Sequence, residues 1–337
     1  MGLSEFSSAF LPILEDELQR AVALAGGEDL GELHAMLAYH MGWQGEGAGP
    51  KATGKRIRPL LVLLACEAAG GRWRDALPAA VAVELVHNFS LVHDDIEDDS
   101  SLRRGRNTMW KNWGVAQALN AGDAMFALAH LSVLRLEETA SPATALKAAR
   151  ILQVTCLKLT QGQYLDISYE SLRELPLEAY WPMISGKTAA LLSACAELGA
   201  LVAGADAAQQ ECYRQFGHFL GLAFQAQDDL LGVWGNAALT GKSAESDLLT
   251  GKKSLPILYG LSLDGTFARR WRQGPVGVGE VSDLARQLES EGARGYAQET
   301  IDRLTGQALE HLEDAEPKGE AGEALRELAG LLVRREG

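Results

Sequence analysis

Two short carboxylate runs, Asp94-Asp95-Ile96-Glu97-Asp98 and Asp228-Asp229, each end or interrupt an otherwise apolar stretch. On a helix Asp94 and Asp98 differ by four residues, so both project from one face a turn apart and can grip one cation or a cation pair. Asp95 sits beside them. His87, two turns before Asp94, lies roughly 20° from it around the helix axis and can face the same cavity. Adjacent aspartates are poor helix formers, and like charges at a helix C-terminus oppose the macrodipole, so counter-charge is expected. The bland alternative is a solvated acidic helix end. In the second run Gln225, Asp228 and Asp229 fall at i, i+3 and i+4 and share a face. An aspartate pair among Phe219, Leu220, Leu222, Phe224, Leu230 and Leu231 needs a cation or a wet cavity.

Cations stand close to both runs in the chain. Arg103-Arg104-Gly105-Arg106 follows the first run, and Gly54-Lys55-Arg56-Ile57-Arg58-Pro59 precedes it. Lys187-Thr188 follows the Ser185-Gly186 interruption, and Lys242 and the Lys252-Lys253 pair come after the second run. Arg by its fork, and Lys as a point charge, are natural donors to diphosphate oxygens. Each cluster alone reads equally as solvated surface. Carboxylates that need metals, together with cations that need anions, point to a metal–diphosphate complex.

The elements that must hold these groups read as helices. Ala, Leu, Glu and Arg dominate, apolar residues recur three and four apart, and few segments alternate like strands. Breakers at residues 42–54, at Gly70-Gly71, Ser141-Pro142, Pro176 and Ser185-Gly186, across residues 265–279, and at Pro317 divide the chain into about ten helices. The first carboxylate run is predicted to close a helix over residues 78–99, with Pro78 in its first turn. The second lies on a helix starting near Glu211. No repeat, linker or composition shift marks a boundary, so residues 1–337 are expected to form one all-α domain. With 47% apolar residues the chain can bury a sizeable core, and its net charge of -14 argues against a nucleic-acid partner. Cys66, Cys156, Cys195 and Cys212 show no metal-ligand spacing and read as reduced core residues. The N-terminus carries no visible targeting signal, and residues 188–205 suit a buried helix better than a membrane span, so a cytoplasmic protein is expected.

These motifs, in this order, resemble those of the trans-isoprenyl diphosphate synthases. Residues 54–59 match GKRxRP, and His87 followed by Asp94 to Asp98 matches the first DDxxD. Arg103-Arg104-Gly105 follows, then residues 162–166 for GQxxD, Lys187-Thr188 for the KT pair, residues 224–229 for FQxxDD, and Lys242 and Lys252 for the closing lysines. The resemblance implies an allylic diphosphate held through Mg2+, three ions with substrate bound, by Asp94, Asp98 and Asp228. Arg103, Lys187, Thr188, Gln225, Lys242 and Lys252 would surround it. It also implies that isopentenyl diphosphate is held by Lys55, Arg58, His87 and Arg104, and that the chain is a homodimer. Asp94, Asp95, Asp98, Lys187, Gln225 and Asp228 become the expected catalytic set. Three positions depart from the pattern. Gly232 stands where a third carboxylate of the second motif belongs, Asn107 replaces a proline and is expected to loosen a turn, and Glu245 replaces a glycine.

Product length is the finest expectation. Helical geometry nominates Ser90, about 40° from Asp94 and a turn deeper, whereas Phe89 lies about 140° away. The resemblance nominates Phe89, whose aromatic ring implies a short product, geranylgeranyl diphosphate first and farnesyl diphosphate next. A class I terpene cyclase would not need Lys55, Arg58, His87 and Arg104. A non-catalytic subunit of a heteromeric synthase would be expected to have lost aspartates from the first motif.

Overall fold

The computed structural model describes residues 2–172, 174–235 and 246–334. Lys242 and Glu245 lie outside the described residues. The chain forms two compact units. The first takes in the chain up to Val154, Cys195–Gln210 and Glu316–Leu325; the second takes in Thr155–Ala194, Glu211–Ala315 and the chain from Arg326.

Helices α1 (Leu3–Ala23), α2 (Gly31–His40), α3 (Ile57–Ala68), α4 (Leu77–Glu97) and α5 (Val115–Leu134) build the first unit. Before α5 comes the only strand pair among the described residues, β1 (Leu102–Arg103) and β2 (Arg106–Asn107). Helix α4 is buried nearly all round by small and β-branched residues, Ala79 through Val83 among them, and packs along α5. A single 3₁₀ turn, Trp73–Ala76, leads into it, and Pro78 sits in its first turn, where a missing N–H costs nothing. The helix ends two residues short of its predicted limit. Asp98 caps it, Asp99 turns left-handed at φ 49°, and the Asp99 and Ser100 N–H groups reach back to the carbonyls of Ile96 and Asp95. This is a Schellman stop, with aspartate in the place usually given to glycine.

Helix α6 (Pro142–Glu170) leads to α7 (Tyr180–Ile184) and α8 (Ala190–Val202); α9 (Ala207–Trp234), α10 (Leu255–Ser262), α11 (Val281–Ser290), α12 (Ala293–Asp314) and α13 (Gly319–Val333) follow. The second unit's core includes Val233, Leu248, Ile257, Phe267, Val281, Leu284 and Leu288. The expected break at Ser185-Gly186 is not one. The chain passes from α7 to α8 through a π-helical turn, Ser185–Ala189, with no gap between the three. Its cause is visible on α6: Gly162 and Gly186 meet back to back, and a Cβ on Gly186 would lie 2.8 Å from the Gly162 Cα. Helix α9 begins four residues before the predicted Glu211.

All four cysteines are free thiols; Cys66, Cys156 and Cys195 are buried, and Cys212 is partly exposed. Burial pushes the Cys66 thiol up to about 12 and that of Cys156 up to about 11. Among the described residues one segment, within Trp73–Glu97, is long and apolar enough to cross a membrane, and 67% of it is buried.

Candidate active site

In the first unit the basic motif divides by function. Arg56 precedes α3 with a left-handed backbone, φ 49°, which turns its side chain inward. Its guanidinium donates to Glu15 at 2.6 Å, to Glu84 at 2.7 Å and to the Met41 carbonyl at 3.3 Å, and Glu84 also accepts from the Asn88 amide. Arg56 is therefore a structural ion-pair hub. Its neighbours have other surroundings: Lys55 is exposed, and Arg58 Nη1 lies 3.1 Å from His87 Nε2. Burial, followed by the charges of Arg58, Arg104 and Arg103, holds the His87 pKa well below the ordinary value. A neutral His87 therefore accepts from Arg58.

The hairpin supplies the other arginines. Leu102 pairs with Asn107 and Arg103 with Arg106, and the two residues between them, Arg104 and Gly105, have φ of 52° and 75°. Such a two-residue turn with two positive φ values matches the twist of a tight hairpin. Arg104 donates to the Ala52 carbonyl at 2.7 Å, and its guanidinium fills the space over Gly54, where a Cβ would approach its Nη2 to 2.7 Å. Burial lowers the Arg104 pKa, and the nearby charges of Arg56, Arg103 and Arg58 add to the effect against the pull of Glu84. Asn107 does not loosen the turn. Its amide donates to Asn112 at 3.1 Å and its carbonyl accepts from Tyr39 at 2.9 Å, so the hairpin end is tied on both sides.

The first acidic run is divided too. The Asp98 N–H still donates to the Asp94 carbonyl, 2.8 Å, so the pair keeps its helical relation although Asp98 is the cap. Asp94 is half-buried and Asp98 exposed, whereas Asp95 is 1% exposed and its Oδ1 accepts from Arg103 at 2.7 Å. Burial raises the Asp95 pKa despite the guanidinium beside it, and its Oδ2 has no hydrogen-bond partner. Arg103 thus spends its fork on Asp95. Ser90 turns its hydroxyl back to the His87 carbonyl, 2.9 Å, while Phe89 packs on His93 and, 5.1 Å away, on Phe126 of α5.

In the second unit the π-turn sets the site. Because Gly162 and Gly186 touch, Lys187 comes against Asp166, one turn beyond Gly162 on α6, and the two form an ion pair. The next residue, Thr188, donates to Gln225 Oε1 at 2.7 Å; the Gln225 amide donates to Asp229 at 3.0 Å. Asp229, 1% exposed, also accepts from the Tyr180 hydroxyl at 2.7 Å and the Leu255 N–H at 3.0 Å, and Lys252 approaches it at 3.6 Å. This network is nearly saturated, so Asp229 is an anchor. Asp228 beside it is exposed. Burial works against the Lys252 ammonium, but Asp229, Asp247, Asp228 and Asp166 together hold its pKa above the ordinary lysine value.

Arg56, Glu84, Tyr180 and Asp247 were missed as site-building residues. Arg56 stands in the sequence as one member of its basic motif, and nothing in the spacing distinguishes Glu84, Tyr180 or Asp247. Among the described residues no three Asp, Glu, His or Cys groups already stand together as a metal cage. Paired carboxylates without a cage suit a small hard cation such as Mg2+, which takes one or two carboxylates and leaves its other positions to water and substrate phosphates.

Comparison with known proteins gives the same reading. The polyprenyl synthetase family matches residues 49–273. The chain is 40% identical over 314 residues to a (2E,6E)-farnesyl diphosphate synthase of Mycobacterium tuberculosis, covering 90% of this chain and 86% of the relative. It is 37% identical over 355 residues to a geranylgeranyl diphosphate synthase of the same species, covering 99% of both. Among solved structures, geranylgeranyl pyrophosphate synthetase from Pyrococcus horikoshii Ot3 superposes with a TM-score of 0.88 at 30% identity, covering 99% of this chain and 98% of that one. A polyprenyl synthetase from Streptomyces coelicolor A3(2) gives 0.86 at 34% identity, covering 98% of both. The match takes in both acidic motifs and the cations around them, and the likeness in fold runs nearly end to end: the chain belongs to the polyprenyl synthetase family and is a prenyltransferase.

Proposed function

We propose that the protein is a Mg2+-dependent synthase that condenses isopentenyl diphosphate with an allylic diphosphate to a short-chain product, geranylgeranyl diphosphate, with farnesyl diphosphate as the alternative product. The observation that carries this reading is the crowd of like charge at Arg58, Arg103 and Arg104 around a neutral His87. Cations crowded in this way, with Arg104 held below its ordinary pKa by burial and by its neighbours' charge, call for an anion, and a diphosphate answers with several acceptor oxygens.

Asp94 and Asp98 in the first unit, and Asp228 in the second, would hold Mg2+, which when bound would neutralise charge on a departing diphosphate. Lys187 and Lys252 donate to the same diphosphate, and Thr188 and Gln225 fix the approach of those donors. Arg103, already paired with Asp95, belongs to the same allylic set. Lys55, Arg58, His87 and Arg104 bind isopentenyl diphosphate and orient its double bond toward the allylic carbon. Breaking the allylic C–O bond leaves a carbocation, the double bond attacks it, and a proton is lost to the released diphosphate. Lys242 completes the allylic side. Phe89, packed on His93 and Phe126, forms the floor that limits chain growth, with Ser90 beside it.

We read residues 1–337 as one all-α domain made of two compact units, and the working form as a cytoplasmic homodimer. Free buried thiols suit a reducing compartment. Val115, Leu119, Leu131 and Leu134 on α5 and Leu146 on α6 leave exposed apolar surface that a second copy would cover. The test is a condensation assay with Mg2+, isopentenyl diphosphate and each allylic primer, read by mass spectrometry. Asp228→Asn should lower kcat by about 10²–10³-fold, the scale of losing one electrostatic contact to the transition state, without loss of fold. Unchanged turnover in that variant would overturn the assignment.

A further inference from the structure

Lys252 and Lys253 are adjacent and alike in the sequence, and the fold sends them to different places. Lys252 approaches Asp229, whereas the Lys253 ammonium stands 5.6 Å from the centre of the Trp271 ring and donates to the Gly251 carbonyl at 3.2 Å. Lys253 is 8% exposed, and burial lowers its pKa against the opposite pull of Glu170. An ammonium carries three donors, and among the described residues one of them is used, on a neutral oxygen. A buried cation satisfied only so far is costly.

Lys253 and Trp271 both line a cavity of about 530 Å³ within the second unit, a size that takes a small organic molecule. Leu249, Trp271, Pro275 and Val276 give it an apolar wall. That wall is built in advance. Arg270, held by Glu280 at 2.6 and 2.7 Å, donates to the Gly274 and Pro275 carbonyls at 3.2 Å each, and Leu249, Trp271 and Val276 rest on the unit's core. The charged groups of the cavity are not equivalent. Arg272 is engaged by Asp264 and, at 3.1 Å, by Glu174, so its charge is already answered, and Glu170 adds a negative charge. Lys253 is the cation left for a ligand. A diphosphate would meet Glu170 and Glu174 with one ammonium to hold it. A single carboxylate would instead match the two open donors with its two oxygens, and an aromatic ring attached to it would lie against Trp271.

We propose that this cavity is a second small-molecule site, using none of the residues assigned to the diphosphates, and that it takes a monocarboxylate carrying a flat apolar ring, the carboxylate on Lys253 and the ring on Trp271. No bond is made or broken there.

The experiment titrates the full chain with naphthalene-1-carboxylate by isothermal calorimetry, with Mg2+ and inorganic diphosphate in excess throughout so that the sites of the proposed condensation are filled. The carboxylate should bind once per chain, and the neutral naphthalene-1-carboxamide about 10–100-fold more weakly, the worth of hydrogen bonding to a charged group. Lys253→Met, which keeps the reach and removes the charge, should lose affinity for the carboxylate by the same factor. Val276→Glu, which brings a like charge to the wall, should also weaken it, and it serves if the lysine variant fails to fold; thermal unfolding reports the fold of each. No binding of the carboxylate, equal binding of carboxylate and amide, or parental affinity in either folded variant overturns the proposal. Binding that vanishes when diphosphate is added places the probe among the diphosphate cations and overturns it too. The condensation assay is read separately, so failure here and failure of the proposed synthase activity are told apart.

Discussion

Taking away the Arg56 guanidinium would leave Glu84, 2% exposed, facing the protein interior without its counter-charge. Removing one partner of a buried pair costs about 3–5 kcal/mol, so Arg56→Ala should lose about that much stability in urea denaturation, with Arg56→Lys less damaging but still harmful because it lacks the fork. The exposed neighbour Lys55 should show no comparable loss on substitution by Ala. A small effect at Arg56 would place it with the substrate-facing cations after all. In the sequence Lys55, Arg56 and Arg58 are three basic residues in a row of six, and the motif does not sort them. What sorts them is a left-handed backbone at one position and two glutamates, Glu15 and Glu84, that lie 41 and 28 residues away in the chain. The same holds for the aspartates: Asp94 and Asp95 look alike until burial and Arg103 separate them. Residue types and order nominate the candidates; distant partners decide which of them are tied into the fold and which stay open to a ligand.

At the scale of elements, the contact of Gly162 with Gly186 is the feature that periodicity could not supply. Helical spacing located α6 and α9 well, but it read Ser185-Gly186 as an end, since a lone glycine after serine is ordinary punctuation. The two glycines instead let backbones touch, and the chain absorbs the approach as a π-turn that brings Lys187 to Asp166. Gly186→Ala should therefore lose about 1–3 kcal/mol by overpacking, since backbone atoms rather than a flexible side chain stand in the way. Gly295 in α12 has nothing within 4 Å of its would-be Cβ, and Gly295→Ala should instead gain about 0.4–1 kcal/mol through helix propensity and a stiffer unfolded chain. Thermal unfolding of both variants checks the pair. Equal shifts would mean that the glycine contact is not tight. The hairpin was equally hidden, because two strands of two residues leave no alternating pattern to find.

For the whole molecule, the all-α class was open to reading because helices that pack together must each bury one face, and the spacing of leucine and alanine records which face. The division into two compact units was not, since it depends on distant segments such as Glu316–Leu325 returning to the first half. Global stability should carry a pH signature from the first unit. Burial, then the charges of Arg103, Arg104 and Arg56, lowers the His40 pKa to about 3, and His87 is lowered as well. Below the ordinary value of 6.5 the unfolded chain binds protons that the folded chain refuses, so this stability is full above 6.5 and declines as pH falls toward 3. The melting temperature of the substrate-free protein should drop between pH 7 and pH 5, and His40→Gln should flatten the drop; an unaltered slope in the variant would refute the assignment. The buried thiols lead somewhere more practical. With Cys66 and Cys156 shielded and scarcely ionised at neutral pH, and Cys195 buried as they are, alkylating reagents have one native target, Cys212. Once that residue is changed to serine, the protein offers a chemically silent background on which spin labels or fluorophores can be placed one at a time, so that events at either acidic motif can be watched in solution.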